Sequence, residues 1–102
     1  MIAAGVRPSG VLIVNPGAGR LNHRQRLDVV DEIRRHFRVD VYETPARDAG
    51  IEIAARAAGA GARAVIAFGG DGLVNEVANG VAGTATALAI VPGGTMNVFA
   101  RA

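Results

Sequence analysis

Three short segments concentrate the residue types that handle anions: Asn15-Pro16-Gly17-Ala18-Gly19, Gly69-Gly70-Asp71-Gly72 and Pro92-Gly93-Gly94-Thr95. Each follows a short apolar run. Glycine tolerates positive φ and carries no side chain, so a ligand can approach the backbone closely. Where such a loop opens a helix, its free N–H groups and the positive end of the helix dipole form an anion site. Phosphate is the chemistry that fits.

The middle segment is the most informative, because it follows an apolar strand and opens a helix. Asp71 is unexpected beside phosphate, since a carboxylate repels it. It makes sense as a donor to a metal ion or water near the phosphates, or as a hydrogen-bond partner of the loop. A tight turn with Asp71 as an N-cap-like residue accounts equally well for the local pattern. Asn75 and Glu76 fall in the first turns of the same helix, where polar residues are ordinary. In the first segment, Gly17-x-Gly19 begins like a dinucleotide fingerprint. The third glycine is replaced by Asn22, and the later acid has only loose candidates in Asp40 and Glu43, so that motif is weak. Thr95 and Thr44 each offer a hydroxyl that either caps a helix or faces a phosphate. One such loop is ordinary, but three after separate strands are hard to assign to turn chemistry alone.

Composition narrows the chemistry further. All 11 basic residues are arginine, against 9 acids, for a formal charge of +2. Without lysine there is no P-loop or Schiff-base lysine. Without cysteine there is no disulfide frame and no thiolate zinc site. His23 and His36 lack partners at metal-ligand spacing and read as surface residues; no metal site is assigned. Arg24, Arg26, Arg34, Arg35 and Arg38 cluster around one candidate helix, and a solvated helix face is the preferred reading over contact with anionic lipid or nucleic acid. No stretch is long and apolar enough to cross a bilayer, and Met1 to Val6 lacks a signal-peptide core. The composition suits a cytoplasmic protein.

The elements that must position these loops follow from hydrophobic patterning. Val11–Val14, Val39–Tyr42, Ala64–Phe68 and Ala87–Val91 read as strands. Helices read from Leu27, Val30, Ile33 and Phe37, and from Ile51 through Ala58, with Thr44 as cap, Pro45 in the first turn and a stop at Gly59 and Gly61. A third carries Val74, Val77, Ala78 and Val81 on one stripe and ends at Gly80 or Gly83. Thr95 to Ala102 reads as the start of a fourth. This alternation predicts an α/β domain in three layers, Rossmann-like, with a mainly parallel sheet. Ligands of such sheets bind at the carboxyl ends of the strands, where all three glycine loops fall.

VNPGAG, FGGDGLVNEVANGV and IVPGGTMNVFAR resemble the successive signatures of the diacylglycerol kinase catalytic domain family, over residues 10–102. The block GGDG is shared more loosely with NAD kinases and phosphofructokinases, so the lipid assignment leans on the outer motifs too. The resemblance implies an N-terminal domain that binds ATP with Mg²⁺ and a C-terminal, mainly β domain that binds a lipid such as diacylglycerol or a sphingoid. By position it implies nucleotide contacts from Asn15, Pro16, Gly17, Ala18, Gly19, Thr44, Gly70, Asp71, Gly72, Leu73, Val74, Asn75, Glu76 and Thr95. Asp71 would lie closest to the chemistry. Arg20 is a further candidate for charge neutralisation. The chain departs from the family at Leu73 and Ala18, where Thr and Ser are usual, and at Val98, where Asp is frequent. With two hydroxyls gone, either affinity falls or backbone N–H groups carry the binding.

Residues 1–102 are therefore expected to be one nucleotide-binding domain, truncated before the lipid-binding domain. Lipid turnover is not expected from it alone, and exposed apolar surface would favour a homo-oligomer. Its expected partners are ATP and, through the other domain, a membrane lipid at a peripheral location. Nucleic acid is not expected, because net charge is small and aromatics are few. Two rival readings remain: an NAD kinase-like phosphotransferase, and a nucleotide-binding module without catalysis.

Overall fold

The computed structural model of the chain describes residues 7–15, 22–92 and 99–101. In chain order the elements are β1 (Ser9–Val14), α1 (His23–His36), β2 (Arg38–Glu43), α2 (Ala49–Gly59), β3 (Ala64–Gly69), α3 (Asp71–Val81), β4 (Ala87–Pro92) and β5 (Phe99–Arg101). The sheet order is β2-β1-β3-β4-β5. The first four strands are parallel, and β5 pairs antiparallel with β4.

Two apolar clusters hold three layers together. On one face Leu12, Val14, Ile66, Phe68 and Val91 pack against Val29 and Ile33 of α1. On the other, Ile13, Val65 and Ala67 pack against Ala54 and Ala57 of α2 and Leu73, Val77 and Val81 of α3. Successive strand residues thus feed alternate faces, which is why β1 and β3 read as continuous apolar runs. All six residues of β3 are buried. The sheet is covered on both sides, as expected of an α/β domain.

Several local expectations are corrected. The last described residues form β5 instead of a helix: Ile90 pairs with Phe99 and Leu88 with Arg101. The return from β4 is too short for a crossover, so only antiparallel pairing can satisfy the edge of β4. The buried stripe of α1 runs through Val29 and Ile33, while Leu27 is 49% exposed. Thr44 does not cap α2. That helix begins at Ala49, with Asp48 as N-cap in the left-handed region at φ 69°. Helix α3 runs through Gly80 to Val81. The chain then turns at Gly83, whose φ of 76° favours glycine.

Gly80 instead serves packing. A methyl there would lie 2.6 Å from the Ala54 Cβ and 2.6 Å from the Ile51 carbonyl oxygen. Glycine lets α2 and α3 cross in close contact over the sheet. That crossing sets the distance between the loops at their ends.

Candidate functional site

Strands β1 and β3 are neighbours whose following helices leave for opposite faces: α1 to one side, α3 to the other. This is the switch point of an open α/β sheet, where a crevice forms at the carboxyl ends. The Asn15 amide bridges it, donating to the Phe68 carbonyl at 3.2 Å. The Thr44 amide closes the neighbouring gap, donating to the Val14 carbonyl at 2.9 Å. A cleft of about 470 Å³ opens here. Asn15, Thr44, Gly70, Gly72, Leu73 and Glu76 all line it, which brings six of the residues expected from sequence to one place.

The amino ends of all three helices point to this edge of the sheet, and they differ in one respect. The start of α1 is sealed by a capping box: the Gln25 amide donates to Asn22 Oδ1 at 2.8 Å, and the Asn22 amide donates to Gln25 Oε1 at 2.9 Å. The start of α2 is sealed from outside itself, by the Gly50 amide donating to Glu76 Oε1 of α3 at 2.9 Å. Its neighbours donate to local carbonyls, Ala49 to Ala46 at 3.3 Å and Ile51 to Asp48 at 3.2 Å.

The start of α3 is open. Its N-cap is Gly70, which has no side chain to cap with, and the first internal bond runs from the Val74 amide to the Gly70 carbonyl. The amides of Asp71, Gly72 and Leu73 therefore have no partner among the described residues. Among the described residues, the start of α3 is the helix amino end with three successive open amides, and the residues of its first turn line the cleft.

The remaining expected residues divide as follows. Leu73 is 4% exposed, with its side chain in the core between α2, α3 and the sheet. Its position in the cleft wall therefore leaves only its backbone amide to offer. Val74 packs partly against the same cluster, and Asn75 is exposed. Asp71 is exposed at the first residue of α3, not its N-cap as the turn alternative had it. Pro16, Gly17, Ala18, Gly19, Arg20, Thr95 and Val98 lie outside the described residues.

Three further residues line the cleft: Pro45, Ala46 and Arg47, on the loop between β2 and α2. The strand-end rule that selected Thr44 also covers them. Arg47 is the cation in this lining, in a chain without lysine.

A larger groove, about 910 Å³, runs along the uncovered β2 edge between Ser9, Val11, Asp40, Ile53 and Ala57. It reaches to the amino ends of the strands and meets none of the three helix amino ends. The smaller cleft is the one with the chemistry. Among the described residues there is no cluster of three or more acidic or histidine side chains able to hold a metal ion. No described helix is long and apolar enough to cross a membrane.

The sequence matches the diacylglycerol kinase catalytic domain over residues 9–102. The chain belongs to the diacylglycerol kinase catalytic domain family. It is 35% identical over 101 residues to a diacylglycerol kinase from Staphylococcus saprophyticus, covering 95% of this chain and 33% of that protein. It is 33% identical over 93 residues to a Pseudomonas syringae protein named "Probable lipid kinase YegS-like", covering 89% of this chain and 30% of the relative. A crystal structure of a diacylglycerol kinase from Bacillus anthracis superposes with a TM-score of 0.75 at 32% identity, over 86% of this chain and 34% of that one. The chain thus spans a quarter to a third of the length of the curated relatives it matches. The four parallel strands flanked by helices, and the likeness to the Bacillus anthracis diacylglycerol kinase structure, bear out the α/β fold class expected from sequence.

Proposed function

We propose that this domain is the nucleotide-binding part of an ATP-dependent lipid kinase, and that the cleft at the start of α3 receives the phosphates of ATP. The open amino end of α3 carries this reading. Three amides without partners among the described residues, at the switch point of a parallel sheet, suit a ligand with several anionic oxygens. Family membership supplies the reaction class. Phosphoryl transfer is largely positioning and charge neutralisation, which backbone dipoles can supply where lysine is absent.

The residues divide the work in this reading. The amides of Asp71, Gly72 and Leu73 hold phosphate oxygens, with Asn15 and Thr44 bordering the same space. In the reaction a lipid hydroxyl oxygen bonds to the terminal phosphorus, the bond to the bridging oxygen breaks, ADP leaves, and the hydroxyl proton passes to a base or to water. One exposed carboxylate suits Mg²⁺, which is commonly bound by one or two carboxylates together with substrate phosphates. Asp71 is that carboxylate. When bound, Mg²⁺ neutralises phosphate charge. The hydroxyl belongs to the lipid substrate, and in this reading a separate lipid-binding domain presents it to the cleft.

The test is titration of ATP, with and without Mg²⁺, into the chain and into Asp71→Ala. Wild type should bind ATP more tightly with Mg²⁺, and the variant should lose that Mg²⁺-dependent gain. Identical binding by both proteins under both conditions would remove Asp71 from the site. Absence of ATP binding by wild type would remove the nucleotide reading itself.

A further inference from the structure

The Gly50–Glu76 hydrogen bond joins residues on two helices that form the two walls of the cleft. One wall is the loop Thr44–Arg47 leading into α2, and the other is the first turn of α3. Gly50 is buried, and its amide donates to Glu76 Oε1 at 2.9 Å. Helix α2 has no cap of its own: Asp48, its N-cap, makes no side-chain cap bond. The carboxyl of Glu76 replaces the missing cap, at the end of α2 where the dipole favours negative charge.

The two positions are matched sterically as well as by the hydrogen bond. A Cβ at Gly50 would lie 2.7 Å from Glu76 Oε1 and 3.0 Å from Leu73 Cδ1. Glycine at 50 is what allows the carboxyl to reach the amide. Leu73, whose side chain also borders Gly50, supplies one of the three open amides. Gly50 therefore packs beside the first turn of α3 as well as against Glu76.

We propose that Glu76 is a positioning residue, a cap on α2 supplied by α3 that holds the two walls of the nucleotide cleft at working distance. This rests on the nucleotide reading above. It differs from direct contact of Glu76 with the nucleotide or its metal, the role implied by the family motif. The oxygen facing Gly50 is engaged within the protein.

The experiment compares ATP binding, with and without Mg²⁺, in wild type, Glu76→Gln, Glu76→Ala, Gly50→Ala and the Gly50→Ala/Glu76→Ala double variant. It is paired with hydrogen exchange of the Gly50 amide. Glutamine keeps the acceptor oxygen, so Glu76→Gln should bind ATP within about threefold of wild type and keep the Gly50 amide protected. Glu76→Ala and Gly50→Ala should each weaken binding by roughly tenfold, the order expected when a buried donor loses its partner. The double variant should be no worse than the weaker single one, because both remove one interaction. The Mg²⁺-dependent gain should persist in every variant.

Loss of binding by Glu76→Gln equal to that of Glu76→Ala, with Gly50→Ala intact, would overturn the proposal in favour of direct ligand contact. So would unchanged binding by Glu76→Ala. If wild type binds no ATP, the nucleotide reading fails and the positioning role falls with it. The exchange rate of Gly50 then reports separately whether the cap exists.

Discussion

Gly80→Ala tests the packing that brings the cleft walls together. Gly80 sits inside α3, where alanine is the better helix former by about 1 kcal/mol. Helix propensity alone therefore predicts stabilisation. The structure predicts the reverse. The new methyl would lie 2.6 Å from Ala54 Cβ, 2.6 Å from the Ile51 carbonyl oxygen and 3.1 Å from the Ala55 amide nitrogen. Carbon atoms pack at about 3.5–4.0 Å, so the shortfall at Ala54 is about 1 Å. Two of the three obstructing atoms belong to the α2 backbone, which cannot rotate away as a side-chain tip would. Relief requires α2 to lift from α3. Overpacking of this kind costs about 3 kcal/mol or more at the upper end of its usual range. Subtracting the propensity gain leaves about 2 kcal/mol of net destabilisation. For a domain of this size that lowers Tm by about 8–16 °C. Thermal and urea unfolding followed by circular dichroism read the effect. Gly59→Ala is the control: it ends α2, and beyond its chain neighbours and its own helix backbone no atom lies within 4 Å of its added methyl. That variant should match or slightly exceed wild type. A Gly80→Ala protein as stable as wild type would refute the close-approach argument and the helix spacing built on it.

Two further outcomes follow from the same geometry. If the cleft receives phosphate as proposed, Arg47→Ala should weaken ATP binding by about tenfold while leaving adenosine binding unchanged, because it removes the arginine that lines the cleft; calorimetric titration with both ligands checks it. Leu73→Ala should cost about 2–5 kcal/mol in urea unfolding, since a core side chain is removed and a cavity left, although residue 73 lies in the phosphate-loop motif.

Much of the candidate site's placement was legible in the sequence because its signals are local. A glycine-rich turn after an apolar run marks a strand end, and strand ends in a parallel sheet share one edge. Asn15, Thr44, Gly70 and Gly72 therefore fell together without knowledge of a single long-range contact. The roles within motifs were less legible. Leu73 occupies a motif position, yet periodicity along α3 places its side chain with Val77 in the core. Arg47 falls under the same strand-end rule as Thr44, but nothing in the local pattern marks Gly50 as the site of a cap.

What the chain's order of residues determined by itself is the alternation of elements and the placing of glycine loops at strand ends. Both depend on side-chain periodicity and backbone freedom over a few residues. The tertiary structure alone decided which helix amino end stays open. Asn22 closes α1 from three residues away, but Glu76 closes α2 from 26 positions away. That second contact exists only because Gly80 lets α2 and α3 approach, and because the sheet order sets both helices on one face. Neither strand order nor helix approach has a local signature, since each is fixed by how whole faces bury against one another. For the same reason, the return of residues 99–101 as β5 was set by the free edge of β4 and not by their own pattern.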